Sequence, residues 1–331
     1  MSLNNPLTVL YKEINGSQIT TDVYLPTSSS TQKHPVLIDI HGGAFMLGHS
    51  RMVSLPQVQD CLDRGWIVLV PNHRLCPGVN ILEGPMQDIR DLLTWIQEGQ
   101  LDKFLSSHGA YRADLDNIAA FGTSSGGTLA LGLGFDVAKP VKAILSLYGA
   151  VNFTDPFWKT PLPHVAAKLP PNLEPEFLSQ IYQEIPIPTD SSVSLEGQSE
   201  AGGRKGPNFS RPRDAFAFTQ IANGTVMDAI YPDCKTTDPG MDRIDPVKNI
   251  HADFPPTWIV HGLADTMVPI ELSRELYRQL REAGVQCGMT EVPGEEHTFA
   301  MLMKVGSKTW WLQREGFDFL ERIIGKGPQS A

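Results

Sequence analysis

Ile118-Ala119-Ala120-Phe121-Gly122-Thr123-Ser124-Ser125-Gly126-Gly127-Thr128 is the stretch on which the reading of this chain turns. Ile118–Phe121 is a short β-prone run, Gly122–Gly126 fits G-x-S-x-G, and Thr128–Leu133 has a helical look. A serine on a sharp turn from strand to helix exposes its hydroxyl, and small neighbours keep the strained backbone free of clashes. Gly127 lets the new helix lie close to the sheet. The five-residue pattern alone is weak, since ~0.1–0.2 chance matches are expected in a chain of this length. Its context, strand before and helix after, sets it apart from a Gly/Ser-rich loop.

Working outward, similar apolar runs end in loops on either side. Leu7–Ile14 and Gln18–Leu25 flank Asn15-Gly16, a hairpin signal. Pro35–Ile40 stops at His41-Gly42-Gly43, Trp66–Val70 is closed by Pro71, and Val141–Leu147 ends near Gly149. Further on, Thr257–Val260 ends at His261-Gly262, and Cys287–Val292 leads into Glu295-Glu296-His297. Helical spacing is expected over Met52–Arg64, Gly84–Gln97, Glu271–Ala283 and Thr309–Ile324. Gly132-Leu133-Gly134 is read as a packing or capping feature inside the helix that follows the serine. Strands alternating with helices argue for an α/β fold with a mostly parallel sheet covered on both faces.

Residues 152–244 break the alternation. The stretch is rich in Pro, Gly and Ser, looks flexible around Ser191–Gly206, and carries scattered aromatics including Phe157, Trp158 and Phe218. Long segments of this kind inside compact domains are usually lids or binding segments. The expected organisation is a core in two parts, residues 1–151 and 245–331, with residues 152–244 inserted between them as a cap.

A serine hydroxyl attacks poorly unless a base takes its proton, and an imidazole base needs an acid to hold its tautomer. Asp265, in His261-Gly262-Leu263-Ala264-Asp265, and His297 each follow a strand, at the sheet edge where Ser124 should emerge. A lone Asp or His is usually mere surface; two at matching strand ends, in the order Ser, Asp, His, are not. The small residues of His41-Gly42-Gly43-Ala44-Phe45 allow backbone N–H groups to face a cavity, as a developing oxyanion requires. The plain alternative there is a simple Gly-Gly turn; in either case His41 is expected to support its Gly loop by hydrogen bonding rather than to bind a metal.

Composition narrows the field. Lys plus Arg number 27 against 37 Asp plus Glu, a net charge of −10, so nucleic acid and anionic membrane surfaces are poor partners. Met1–Leu10 lack a basic start before an apolar core, and no run approaches the roughly 20 apolar residues of a membrane span. A cytoplasmic location is expected. Cys61, Cys76, Cys234 and Cys287 are scattered and read as free thiols, and the sequons at Asn15, Asn152, Asn208 and Asn223 read as chance matches. No HExxH and no G-x-G-x-x-G opening a helix occurs, so neither a metal nor another cofactor is expected.

These motifs resemble the α/β-hydrolase superfamily and, within it, the hormone-sensitive-lipase-like carboxylesterases. The likeness spans residues 20–150 and 245–324, and implies an eight-stranded twisted sheet. By matching position it implies Ser124 as nucleophile, His297 as general base and Asp265 as its orienting acid, with oxyanion N–H groups from Gly43, Ala44 and Ser125. His41-Gly42-Gly43-Ala44 departs from that family's third glycine, and Thr123 from the Asp of its elbow. Asn72–Pro77 resembles the family's Tyr-Arg-Leu-Ala-Pro strand end, with Arg74 structural. The N-terminal hairpin and residues 265–284 also resemble the catalytic domains of prolyl oligopeptidases.

The implied function is hydrolysis of a carboxylic ester or thioester through an acyl-enzyme on Ser124, with an apolar small-molecule substrate under the aromatic cap. A peptidase or amidase of prolyl-oligopeptidase type, or an acyltransferase, would use the same triad. A non-catalytic receptor would be expected to have lost the base, which is present. An edge strand or the last helix offers a possible homodimer contact.

Overall fold

The computed structural model describes residue 3 and residues 5–27, 32–195, 206–232 and 239–328. Its strands are β1 (Leu7–Ile14), β2 (Ser17–Tyr24), β3 (Lys33–Ile40), β4 (Ile67–Pro71), β5 (Arg112–Thr123), β6 (Ala143–Leu147), β7 (Thr257–Gly262) and β8 (Cys287–Val292). They form one sheet in the order β1-β2-β4-β3-β5-β6-β7-β8. β1 pairs antiparallel with β2, and β2 with β4; every other neighbouring pair is parallel. The β1–β2 turn is the Asn15-Gly16 pair, both at positive φ (49° and 81°), as a tight hairpin between right-twisted strands requires.

The central strands are apolar throughout because each has a core on both sides. Ile38 and Ile40 of β3 and Ala120 of β5 bury into one core; Leu37 and Phe121 bury into the other. Helices α1 (Leu55–Asp63), α2 (Gln87–Gln97), α3 (Gln100–Leu105), α4 (Ser125–Leu131), α10 (Ile270–Glu282) and α11 (Lys308–Ile324) supply the outer layers, with α5–α9 lying between β6 and β7. α2, α3, α4 and α10 cover the first core with Leu92, Leu101, Leu129 and Leu276. α1 and α11 cover the second with Val58, Phe317 and Leu320. Among the described residues no helix is long and apolar enough to cross a membrane.

Three local expectations are corrected. β5 is twelve residues long rather than four, because its polar first half pairs with Lys33 and His34 across an irregularity in register. The stretch before Gln87 is a wide turn over Leu82–Met86 that accommodates Pro85, and α2 begins after it. Gly132–Gly134 is a separate tight turn beyond the end of α4 rather than inside it, with the expected roles kept: Gly132 caps the helix, and a side chain at Gly134 would collide with Phe254.

Between β6 and β7 the chain forms α5 (Pro163–Ala166), α6 (Pro175–Leu178), α7 (Pro212–Asn223), α8 (Val226–Ile230) and α9 (Pro239–Asp242), with no strand among the described residues. The centre at 196–205 and Cys234 lie outside the described residues; Cys61, Cys76 and Cys287 are free. Asp245 ties the two ends of this excursion together. Its carboxylate accepts N–H groups from Asn152 (3.0 Å) and Phe153 (2.8 Å) at the start and from Val247 (3.1 Å) at the return.

Candidate active site

Ser124 sits between β5 and α4 with φ 51° and ψ −124°, a backbone conformation that costs an L-residue free energy. Its neighbours explain why the turn survives. A Cβ on Gly122 would come within 2.1 Å of the Gly126 carbonyl, and one on Gly126 within 2.1 Å of the Ile40 carbonyl. The turn is pinned by Ser124 N–H donating to Leu147 O (2.9 Å) and Gly127 N–H donating to Ser124 O (2.9 Å). The serine side chain is thereby lifted off the sheet at the carboxyl ends of the strands.

Asp265 and His297 arrive there from the loops after β7 and β8. Those loops are stitched together by Leu263 N–H to Val292 O (2.9 Å) and Ala264 N–H to Glu295 O (3.0 Å). His297 Nδ1 lies 2.6 Å from Asp265 Oδ2, and His297 Nε2 lies 3.0 Å from Ser124 Oγ. A carboxylate only accepts, so Nδ1 carries the proton and Nε2 is left to accept from the serine hydroxyl. The Asp265 carboxylate is fully buried, while the imidazole keeps 11% of its side chain exposed.

The electrostatics suit that assignment. Burial alone would raise the Asp265 pKa, but the adjacent His297 and the hydrogen bonds from His261 and His297 outweigh it and hold the carboxyl well below its usual range. Asp265 Oδ1 also accepts N–H groups from Met267 and Val268, both at 2.9 Å. The acid is therefore ionised at neutral and mildly acidic pH.

His261 was not singled out as a site residue by the sequence. Its Nε2 lies 3.2 Å from Asp265 Oδ2 and 2.9 Å from Val268 O, and its Nδ1 lies 2.7 Å from Ser273 Oγ. The signal was present in the five-residue spacing of His261 and Asp265 at one strand end. Tyr148, also missed, lays its ring edge-on against His297 with centroids 4.9 Å apart.

The loop after β3 curls tightly. Gly43, Ala44 and Phe45 all have positive φ (120°, 54° and 64°), and Gly43 O accepts from Met46 N (3.1 Å) and Leu47 N (2.9 Å). A side chain at Gly43 would meet the Leu47 carbonyl at 2.2 Å, so glycine is required there. Among the described residues no protein acceptor takes the N–H of Gly43, Ala44 or Ser125. Beneath them, His41 donates from Nδ1 to Gly42 O (2.7 Å) and stacks on His73 at 4.8 Å. Burial, reinforced by His73, holds the His41 pKa well below its ordinary value, so it braces the loop as a neutral ring. Arg74 is spent on Asp88, with Nη2–Oδ1 at 2.7 Å and Nε–Oδ2 at 3.0 Å.

Ser124, Ser125, Gly43, Ala44 and His297 share one pocket of about 850 Å³, counting its open mouth. The wall opposite the serine comes from the excursion after β6: Phe157, Trp158, Leu162, Leu195, Phe218 and Ile221. Among the described residues no lysine, arginine, aspartate or glutamate lines it. Among the described residues no cluster of three or more His, Cys, Asp or Glu could hold a metal ion.

Comparison with known proteins agrees with this architecture. The BD-FAE family model matches residues 21–157, and the prolyl oligopeptidase family model matches residues 218–327. Over 96% of its length the chain is 28% identical to 14% of a non-reducing polyketide synthase of Aspergillus calidoustus. Over 95% it is 30% identical to 15% of one from Acremonium egyptiacum. It thus spans about one seventh of the curated relatives it matches. Among solved structures, a protein of unknown function from Staphylococcus aureus superposes with a TM-score of 0.68 at 19% identity, covering 96% of this chain and 99% of that one. Esterase 2 of Thermogutta terrifontis, phosphonylated by cyclosarin, superposes with a TM-score of 0.62 at 15% identity, covering 99% and 98%. With its sheet order, its serine turn and these matches, the chain has the α/β-hydrolase fold.

Proposed function

We propose that this chain is a serine hydrolase that cleaves a carboxylic ester or thioester of an apolar acyl group. Ser124 Oγ attacks the acyl carbon as His297 Nε2 takes its proton, and Asp265 steadies the imidazolium that forms. The N–H groups of Gly43, Ala44 and Ser125 receive the oxyanion. His297 then protonates the leaving alcohol or thiol, and activates the water that frees the acid. Residues 152–244 act as the cap that shapes the acyl site.

The observation that carries this reading is the unbroken relay from Ser124 through His297 to Asp265 at the floor of an apolar pocket. The pocket also favours an ester or thioester over a peptide, whose polar backbone would find few side-chain partners on these walls. Similarity to polyketide synthases favours an acyl group delivered as a thioester. The same similarity supports a second reading, in which an alcohol or amine rather than water takes the acyl group.

Titration with a fluorophosphonate followed by mass analysis tests the mechanism. One equivalent bound at Ser124, with loss of turnover, is the expected result; turnover that persists in fully labelled protein refutes it. Partition of the acyl-enzyme between water and added alcohol then separates hydrolysis from transfer.

A further inference from the structure

Arg213 lies on α7, remote in sequence from Ser124, Asp265, His297 and the loop of Gly43 and Ala44, yet it is 6% exposed and reaches into the core. Its Nη1 donates to Met46 O and to Cys76 O, both at 2.8 Å. The other side of the guanidinium is held by Glu184, with Nε 3.0 Å from Oε2 and Nη2 on the same oxygen. Met46 belongs to the loop that carries Gly43 and Ala44, and Cys76 N–H donates to Phe45 O (3.0 Å) within that same loop. One cation of the cap therefore spans the joint between the oxyanion loop and the strand end beside it.

We propose that Arg213 is a positioning residue that sets the oxyanion loop from the cap side. This inference rests on the hydrolase reading given above. The loop needs such a restraint, because Ala44 and Phe45 are consecutive non-glycine residues at positive φ, a conformation that persists only where surroundings over-determine it. Met46 and Cys76 are both fully buried, so their carbonyls would be stranded without the guanidinium. A relaxed loop would rotate the Gly43 and Ala44 N–H groups away from the place where the oxyanion forms. A second cap contact holds the far end of the loop, where Gly48 N–H donates to Ser191 Oγ (2.8 Å) and Ser191 N–H donates to Gly48 O (2.8 Å). Arg213 touches no reacting atom; its effect on the reaction runs through the loop.

The test compares wild type, R213M and R213K on p-nitrophenyl acetate, whose acyl group is too small to need the apolar wall, and on a long-chain ester. Binding of a trifluoromethyl ketone, which forms an oxyanion on Ser124, is measured in parallel. R213M is expected to lose about tenfold to a hundredfold in kcat on the acetate with KM little changed, somewhat less than the ~10²–10³ for losing an oxyanion donor outright. The ketone should weaken by a similar factor. R213K, whose ammonium cannot span both carbonyls in the same fork, should fall at least threefold. If R213M does not fold, R213K decides the matter. Wild-type kcat on the acetate in either variant, with losses confined to the long-chain ester, overturns the proposal and leaves Arg213 a packing residue of the cap. If wild type itself takes no fluorophosphonate at Ser124, the hydrolase reading fails and this inference falls with it.

Discussion

His261 Nε2 lies 3.2 Å from Asp265 Oδ2, the same oxygen that takes the N–H of His297 at 2.6 Å. One buried carboxylate thus serves two imidazoles, one facing the pocket and one sealed in the core. Ser273 donates its hydroxyl to His261 Nδ1, which leaves Nε2–H to point at Asp265 and Val268. Replacing His261 by Asn removes the donor at the Nε2 position and should lower kcat roughly tenfold, on the scale of one hydrogen bond to a charged group. Gln can restore a donor near that position. H261Q should therefore retain more activity than H261N, read as kcat against pH; equal activity in all three proteins would contradict the arrangement.

The depressed Asp265 pKa has a stability consequence of fixed sign. An acid ionised more readily in the folded chain contributes stability above its unfolded pKa of about 3.9, and that share is lost as pH falls further. The stability difference between wild type and D265N should shrink as pH falls from about 4 to 2. Urea midpoints across that range test it.

Ser124 stores backbone strain that a glycine would not feel. S124A and S124G should both lose turnover by ~10⁴ or more, since the proposed nucleophile is gone in each. The two should differ in stability, with S124G higher than S124A by about 1–2 kcal/mol. Paired thermal and denaturant melts provide the measurement; an Ala variant as stable as the Gly variant would argue against strain at this turn.

Phe218 offers its ring to the pocket and packs edge-on against Phe209 at 5.6 Å. F218A should raise KM for a long-chain or aromatic ester by about 10- to 100-fold, the worth of roughly 1.5–3 kcal/mol of apolar burial. KM for an acetate ester should change little. A series of acyl chain lengths compared in the two proteins checks this.

Burial pushes the Asp245 carboxyl up to about 6, against the pull of its three backbone N–H donors. A carboxyl with a raised folded pKa stabilises most below its unfolded value of 3.8, and that share is lost as pH rises to about 6. Relative to D245N, wild type should therefore lose up to about 3 kcal/mol between pH 4 and 6 and no more above it. Midpoints at several pH values would reveal a flat difference if burial were not dominant.

The core was legible because its signals are local and repeated. Apolar runs such as Pro35–Ile40 and Trp66–Val70 stop abruptly at Gly or Pro, and the structure ends its strands within a few residues of those stops. Ser124, Asp265 and His297 could be picked out because each follows such a run, and the fold brings them within hydrogen-bond reach. The first half of β5 was missed because Arg112–Asn117 is largely polar and pairs only through Arg112 and Ala113, across an irregularity in register. α5 and α6 were missed because four-residue helices carry no periodicity and owe their form to what they pack against. Arg213 and Asp245 gave no signal at all. Apart from the Glu184 carboxylate and the nearby Val247 N–H, their partners are backbone atoms distant in sequence, and a backbone atom has no letter in the sequence.

The guanidinium bridging Met46 and Cys76 also limits how this scaffold can be re-engineered. Replacing the segment between β6 and β7 with a foreign one to change selectivity would remove the cation along with the aromatic wall. Chimaeras ought to recover turnover only when the incoming segment carries a donor for those two carbonyls, whatever shape of acyl chamber it brings.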